Sequence, residues 1–150
     1  YLYFSREVIE NPKIDQRELE DAVVAELMKF PGVALAVSST ALRKGGLPDN
    51  ELHRAVVRNF HPKRSGDIFL VFEPNWFIND FDGLTVASTH GSPWNYDTYV
   101  PIVFAGAGLE AKHVTRRVHT VDVAATLAAL MGAKPPSGSA GRPLEEVLNR

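Results

Sequence analysis

The side chains best suited to chemistry crowd into one stretch, Thr89-His90-Gly91-Ser92-Pro93-Trp94-Asn95-Tyr96-Asp97-Thr98-Tyr99-Val100-Pro101. His90 offers an imidazole, and neutral imidazole is a good zinc ligand, though a zinc ion needs three or four donors. Asp97 is close enough in sequence to serve as a second donor, or as the group that orders the imidazole or its loop. Gly91 leaves room for a ligand to approach the backbone, and Pro93 and Pro101 stiffen the loop, which lowers the entropy lost in holding a side chain still. Trp94 and Tyr96 suit either the wall of a substrate pocket or packing over the loop. Residue types alone leave two roles open for His90: a metal ligand, or a hydrogen-bonded structural residue.

The elements that must position this loop follow from pattern. Tyr1 to Phe4 read as a short buried strand. Asp15, three residues before Glu18, starts a helix carrying Leu19, Val23, Leu27 and Phe30, with Arg17, Glu18, Glu20 and Glu26 on a solvated face. Pro31-Gly32 ends it. Val33 to Val37 is an apolar run of strand length. Gly45-Gly46 and Pro48 mark a loop. Asp49 is placed to cap a second helix with Leu52, Val56 and Phe60 at spacing four, and Asp67 to Phe72 is a further strand. The first half, residues 1–80, thus reads β-α-β-α-β, an α/β arrangement whose strands are apolar on both faces. Pro74 to Asp82 is a loop, Leu84 to Ser88 a strand running into His90, and Ile102 to Ala105 another strand before Gly106-Ala107-Gly108. Loops at the carboxyl ends of strands are the preferred ligand sites of open α/β sheets. Thr120 is placed to cap a helix with Val123, Leu127, Leu130 and Met131 on one face, Gly132 ends it, and Pro143 to Leu148 forms a last helical piece.

Composition excludes several classes. The chain has 150 residues, a formal net charge of -2 and 45% hydrophobic residues, which suits one ordinary domain with a core. That charge gives no footprint for nucleic acid. No apolar run reaches membrane-spanning length. With no cysteine, there is no disulfide framework, thiolate metal site or cysteine nucleophile. Lys112, Arg116 and Arg117 read as a solvated rim. His53, His61, His113 and His119 read as surface or helix-end residues. A chain opening at Tyr1 inside a strand pattern is expected to be part of a longer protein.

Thr89-His90-Gly91-Ser92, then Asn95-Tyr96-Asp97, then Val100-Pro101, resembles the C-terminal motif of the alkaline phosphatase superfamily. The likeness is to its type I phosphodiesterase/nucleotide pyrophosphatase branch and to the related phosphate-monoester alkaline phosphatases. Ile102 to Gly108 continues it. Val118-His119-Thr120-Val121-Asp122-Val123-Ala124-Ala125-Thr126-Leu127 resembles the helix that family usually writes D-I-A-P-T-L, with Ala125 where proline is common. Arg142-Pro143-Leu144 and Pro62 to Asp67 resemble flanking pieces, so the likeness covers nearly the whole chain. Tyr99 stands where the phosphatases often have histidine.

The resemblance implies a layered α/β sheet fragment, in which residues 84–150 (metal-ligand loop, strand and C-terminal helix) complete the central sheet of a larger catalytic domain. It implies a two-zinc phosphatase or phosphodiesterase that hydrolyses phosphate esters, with His90 as one zinc ligand. Asp97, Trp94 and Tyr96 then stand as neighbours of the metal or of the substrate. The family's Thr or Ser nucleophile and its other ligands lie upstream. The chain alone is therefore expected to be inactive, to hold no zinc, and to have the upstream part of the same enzyme as its partner. The resemblance also implies an exported or periplasmic setting. Two alternatives stand beside it: a non-catalytic α/β regulatory or interaction module, or a sulfatase-, phosphonate-hydrolase- or phosphoglycerate-mutase-like relative with the same metal centre.

Overall fold

A computed structural model describes residues 1–79, 83 and 85–149. Its elements in chain order are α1 (Arg6–Ile9), α2 (Gln16–Leu27), β1 (Val33–Ser38), α3 (Ser39–Lys44), α4 (Glu51–Asn59), β2 (Ile68–Phe72), α5 (Asn95–Thr98), α6 (Asp122–Leu130) and α7 (Glu145–Leu148). The α/β class expected from sequence is observed. The chain divides into two compact units, Tyr1–Tyr99 and Val100–Arg150.

The first unit is built on β1 and β2, which pair antiparallel from Ser38 opposite Ile68 to Val33 opposite Phe72, with an irregularity between Val33 and Leu35. Ala36, Val37, Ile68 and Val71 are buried, with Val56 of α4 beside them in the core. Full burial of Ile68 contributes roughly 1.5–3 kcal/mol. Helix α2 packs on β1. Asp15 caps it as expected, its side chain accepting from the amides of Arg17 and Glu18. The solvated face assigned to α2 needs one correction. Glu20 is the buried residue of that helix, at 0% exposure, because its carboxylate accepts from the Thr40 amide at 3.3 Å and from Gln16 Nε2 at 3.2 Å. Those bonds satisfy an amide at the start of α3 that would otherwise be unpaired. The helix ends at Leu27, and Phe30 is exposed rather than in the apolar face.

Other local expectations shift for local reasons. Helix α3, in a stretch to which the sequence reading assigned no element, starts because Ser38 accepts from the Ala41 amide at the end of β1. Asn50, not Asp49, caps α4 by accepting from the His53 amide. Tyr1 to Phe4 make a single bridge, Leu2 to Ile68, and Tyr1 and Tyr3 are exposed. The ladder stops there because the Phe4 amide donates to the Asp67 carboxylate at 2.7 Å instead of to a strand carbonyl.

Two expected strands do not form. Residues 85–88 and Ile102–Ala105 have no strand pairing, and Val103 is 82% exposed. An apolar run becomes a strand only beside a neighbour that can take its amides and carbonyls, and no described residues provide one here. Leu84, the first residue of the former strand, lies outside the described residues, as do Asp80 to Asp82 of the preceding loop.

In the second unit α6 packs with α7. The buried face of α6 is Asp122, Ala125, Thr126 and Ala128, while Leu127 and Met131 of the expected apolar face are exposed. Polar bonding explains the rotation. Thr126 Oγ1 donates to the Asp122 carbonyl at 2.7 Å and accepts from the Leu144 amide at 3.0 Å, which draws the C-terminal segment onto that side. Thr120 makes no cap. Instead Asp122 reaches back to accept from the His119 amide at 2.9 Å, the acidic half of a capping box, and its other oxygen accepts from the Arg142 amide. Gly141 permits this approach: a Cβ there would lie 2.0 Å from the Val121 carbonyl oxygen. Gly132 follows α6 with φ +64°, the left-handed ending expected of it.

Candidate functional site

The carboxyl end of β2 holds the histidine loop. After Phe72 the chain turns through Pro74 and Asn75, which has φ +67°, a conformation asparagine tolerates better than most residues. The Glu73 amide donates to the Gly32 carbonyl, and Trp76 lies against Gly32 so closely that a Cβ there would fall 2.2 Å from the indole. Two bonds then tie the loop to this turn. Trp94 Nε1 donates to the Phe72 carbonyl at 2.9 Å, and the Asn75 amide donates to the Tyr96 hydroxyl at 3.0 Å. Trp94 and Tyr96, readable from sequence as pocket wall or as packing, thus act as anchors.

Between the anchors the chain winds into α5. The Trp94 carbonyl accepts from the amides of Asp97 and Thr98 and from the Thr98 hydroxyl. This turn brings the half-buried Asp97 back over the start of the motif, where its Oδ2 accepts from the Ser92 amide at 2.8 Å. The Ser92 side chain and amide hold the Asp97 carboxyl below the usual carboxylate range; His90 and the Gly91 amide add to this, and partial burial opposes it. Gly91 has φ +99° with open space where a Cβ would point. His90 is exposed, and among the described residues no hydrogen bond occupies its ring.

His90, Trp94, Tyr96 and Asp97 therefore share one loop, with His90 facing solvent and Asp97 turned inward. Among the described residues no three His, Cys, Asp or Glu side chains gather as a metal site. Asp49 and His53 stand at the Asp-x-x-x-His spacing common in metal sites, but Asp49 pairs with Arg54 and the His53 ring bonds Asn50. Sequence reasoning missed Phe72, Asn75 and Ser92. Their contributions are a backbone carbonyl and two amides, which leave no mark in residue type; only Pro74-Asn75, a common turn pair, hinted at the sharp bend.

No family model matches the chain. It is 34% identical over 150 residues to a protein of Myroides odoratus named calcium-transporting ATPase, and 29% identical over 150 residues to alkaline phosphatase PafA of Elizabethkingia meningoseptica. In each case 99% of this chain is covered and 27% of the relative. The crystal structure of wild-type PafA superposes with a TM-score of 0.82 at 28% identity, over 97% of this chain and 27% of that one. These likenesses fit a C-terminal fragment of the alkaline phosphatase superfamily. The chain spans about a quarter of the length of the relatives it matches, as part of a larger protein would. No helix among the described residues is long and apolar enough to cross a membrane.

Proposed function

We propose that the chain is the C-terminal part of a zinc-dependent alkaline phosphatase that hydrolyses phosphate esters, and that His90 is one of its zinc ligands. The observation that carries the reading is an exposed imidazole with no hydrogen bond among the described residues, held in the Thr89-His90-Gly91-Ser92 loop of a chain that superposes on PafA over nearly its whole length. Such an imidazole fits the place of a single zinc donor. The other donors, and the Thr or Ser nucleophile, are assigned to the upstream part of the protein. When bound, zinc supplies Lewis-acid polarisation of a phosphoryl oxygen and lowers the pKa of the attacking group. This chain's own part is to hold the His90 ring toward that centre from the carboxyl end of β2. Trp94 and Tyr96 hold the loop in place and lend it part of the site wall.

A phosphate-monoester substrate is favoured over a diester because the superposed relative is named an alkaline phosphatase. The phosphodiesterase/nucleotide pyrophosphatase branch is the finer alternative. An exported or periplasmic setting goes with the same reading. In the test, p-nitrophenyl phosphate is offered to the full-length protein and to residues 1–150 alone. Turnover by the full-length protein that chelation abolishes and zinc restores is expected, with none from residues 1–150. Full activity after exhaustive chelation would overturn the metal assignment, and turnover by residues 1–150 would overturn the division of labour.

A further inference from the structure

We infer that Asp97 is the positioning residue of the His90 loop, and that it acts by accepting the Ser92 amide rather than by bonding the imidazole. This rests on the reading of His90 as a zinc ligand. A solvent-facing imidazole has many rotamers and a mobile backbone beneath it, and each freedom lost on binding a metal weakens binding. The usual remedy is a carboxylate or carbonyl that takes the second ring N–H. Among the described residues no such bond is made. The one carboxylate in the loop is half-buried and turned to the backbone two residues beyond His90, with Oδ2 at 2.8 Å from the Ser92 amide.

The bond closes a ring running from Ser92 through α5 to Asp97. The Trp94–Phe72 and Tyr96–Asn75 bonds seat that ring on the end of β2. Gly91, at φ +99°, is the hinge between the ring and His90. Without the carboxylate, the Gly91-Ser92 backbone keeps the Trp94 and Tyr96 anchors and a long 3.4 Å bond from the Trp94 amide to Ser92 Oγ, none of which holds the Ser92 amide itself. A glycine in open space then samples other conformations at little cost. What the loop needs from residue 97 is an acceptor oxygen in that place, which an asparagine also provides.

The test titrates zinc against a chromophoric chelator in the full-length protein and its His90→Ala, Asp97→Ala and Asp97→Asn variants, with thermal melting run alongside. Asp97→Ala is expected to weaken zinc binding about 10- to 100-fold, the usual effect of removing a ligand's support. Asp97→Asn should stay within about threefold of wild type, since it keeps the acceptor. The Ser92 amide should exchange hydrogen faster in the alanine variant only. Unchanged zinc affinity in Asp97→Ala, while His90→Ala loses zinc, overturns the role of Asp97 and leaves His90 a ligand. Equal losses in both Asp97 variants also overturn it, because charge would then be the agent. Unchanged affinity in His90→Ala removes the ligand reading and the inference with it.

Discussion

Replacing Thr126 by valine removes one hydroxyl and little else. The residue is 0% exposed, and the two side chains have nearly the same shape. The lost hydroxyl donates to the Asp122 carbonyl at 2.7 Å and accepts from the Leu144 amide at 3.0 Å. Leu144 is itself buried, so its amide would be left without a partner, at a cost of about 1–3 kcal/mol. Losing the donated bond adds roughly 0.5–1.5 kcal/mol, and the extra buried methyl returns somewhat less than ~1 kcal/mol. The expected net loss is about 1–3 kcal/mol, or about 5- to 150-fold in an equilibrium constant. Urea denaturation followed by circular dichroism measures it, and hydrogen exchange at the Leu144 amide localises it. Thr126→Ser is the companion variant: it keeps both hydrogen bonds, so the Leu144 amide should stay protected. If Thr126→Val matches wild type in stability and Leu144 protection, the hydroxyl does not join α6 to the C-terminal segment, and the polar account of the buried face fails.

Three further outcomes follow from the same structure. Gly141→Ala would set a Cβ 2.0 Å from the Val121 carbonyl oxygen, so backbone must move; overpacking of this kind costs roughly 1–3 kcal/mol, and an unchanged melting temperature would show that the approach is not close. Glu20→Ala leaves the part-buried Thr40 amide without its acceptor and should cost about 1–3 kcal/mol, with Glu20→Gln milder because its carbonyl still accepts; equal stability of all three proteins would reject the buried acceptor. Arg116 pairs with Glu146 and lowers its carboxyl from an ordinary 4.5 to about 2. A depressed acid stabilises the fold fully above its unfolded value and stops doing so as pH falls through the folded one. Stability curves of wild type and Glu146→Gln should therefore stand apart above pH 4.5 and converge toward pH 2, and a constant gap across that window would contradict the pairing.

What was legible in the sequence was mostly local. Asp15 caps α2 because a cap needs only the next turn of chain, and the runs 33–37 and 68–72 are strands because each supplies the other's ladder. Ile102 to Ala105 has the same apolar character and no such partner among the described residues, so composition alone overstated it. Glu20 read as a solvated charge, yet it is buried and accepts from the Thr40 amide, and the bonds of Asp122 to the His119 and Arg142 amides had no sign in residue type; those contacts span up to 20 residues. In the histidine loop the sequence named His90, Trp94, Tyr96 and Asp97, which the structure holds in one loop, but it put a strand ahead of His90 as the support. The support is the end of β2, through Trp94 and Tyr96, and bonds from an indole and a phenol to distant backbone have no periodic signature.

The central claim is that His90 ligates zinc in the full-length protein. The most direct measurement is elemental analysis of zinc per polypeptide after wild type and His90→Ala are equilibrated with limiting zinc and freed of unbound metal. The account predicts clearly lower zinc in His90→Ala at unchanged folding. Equal zinc in the two proteins would contradict it.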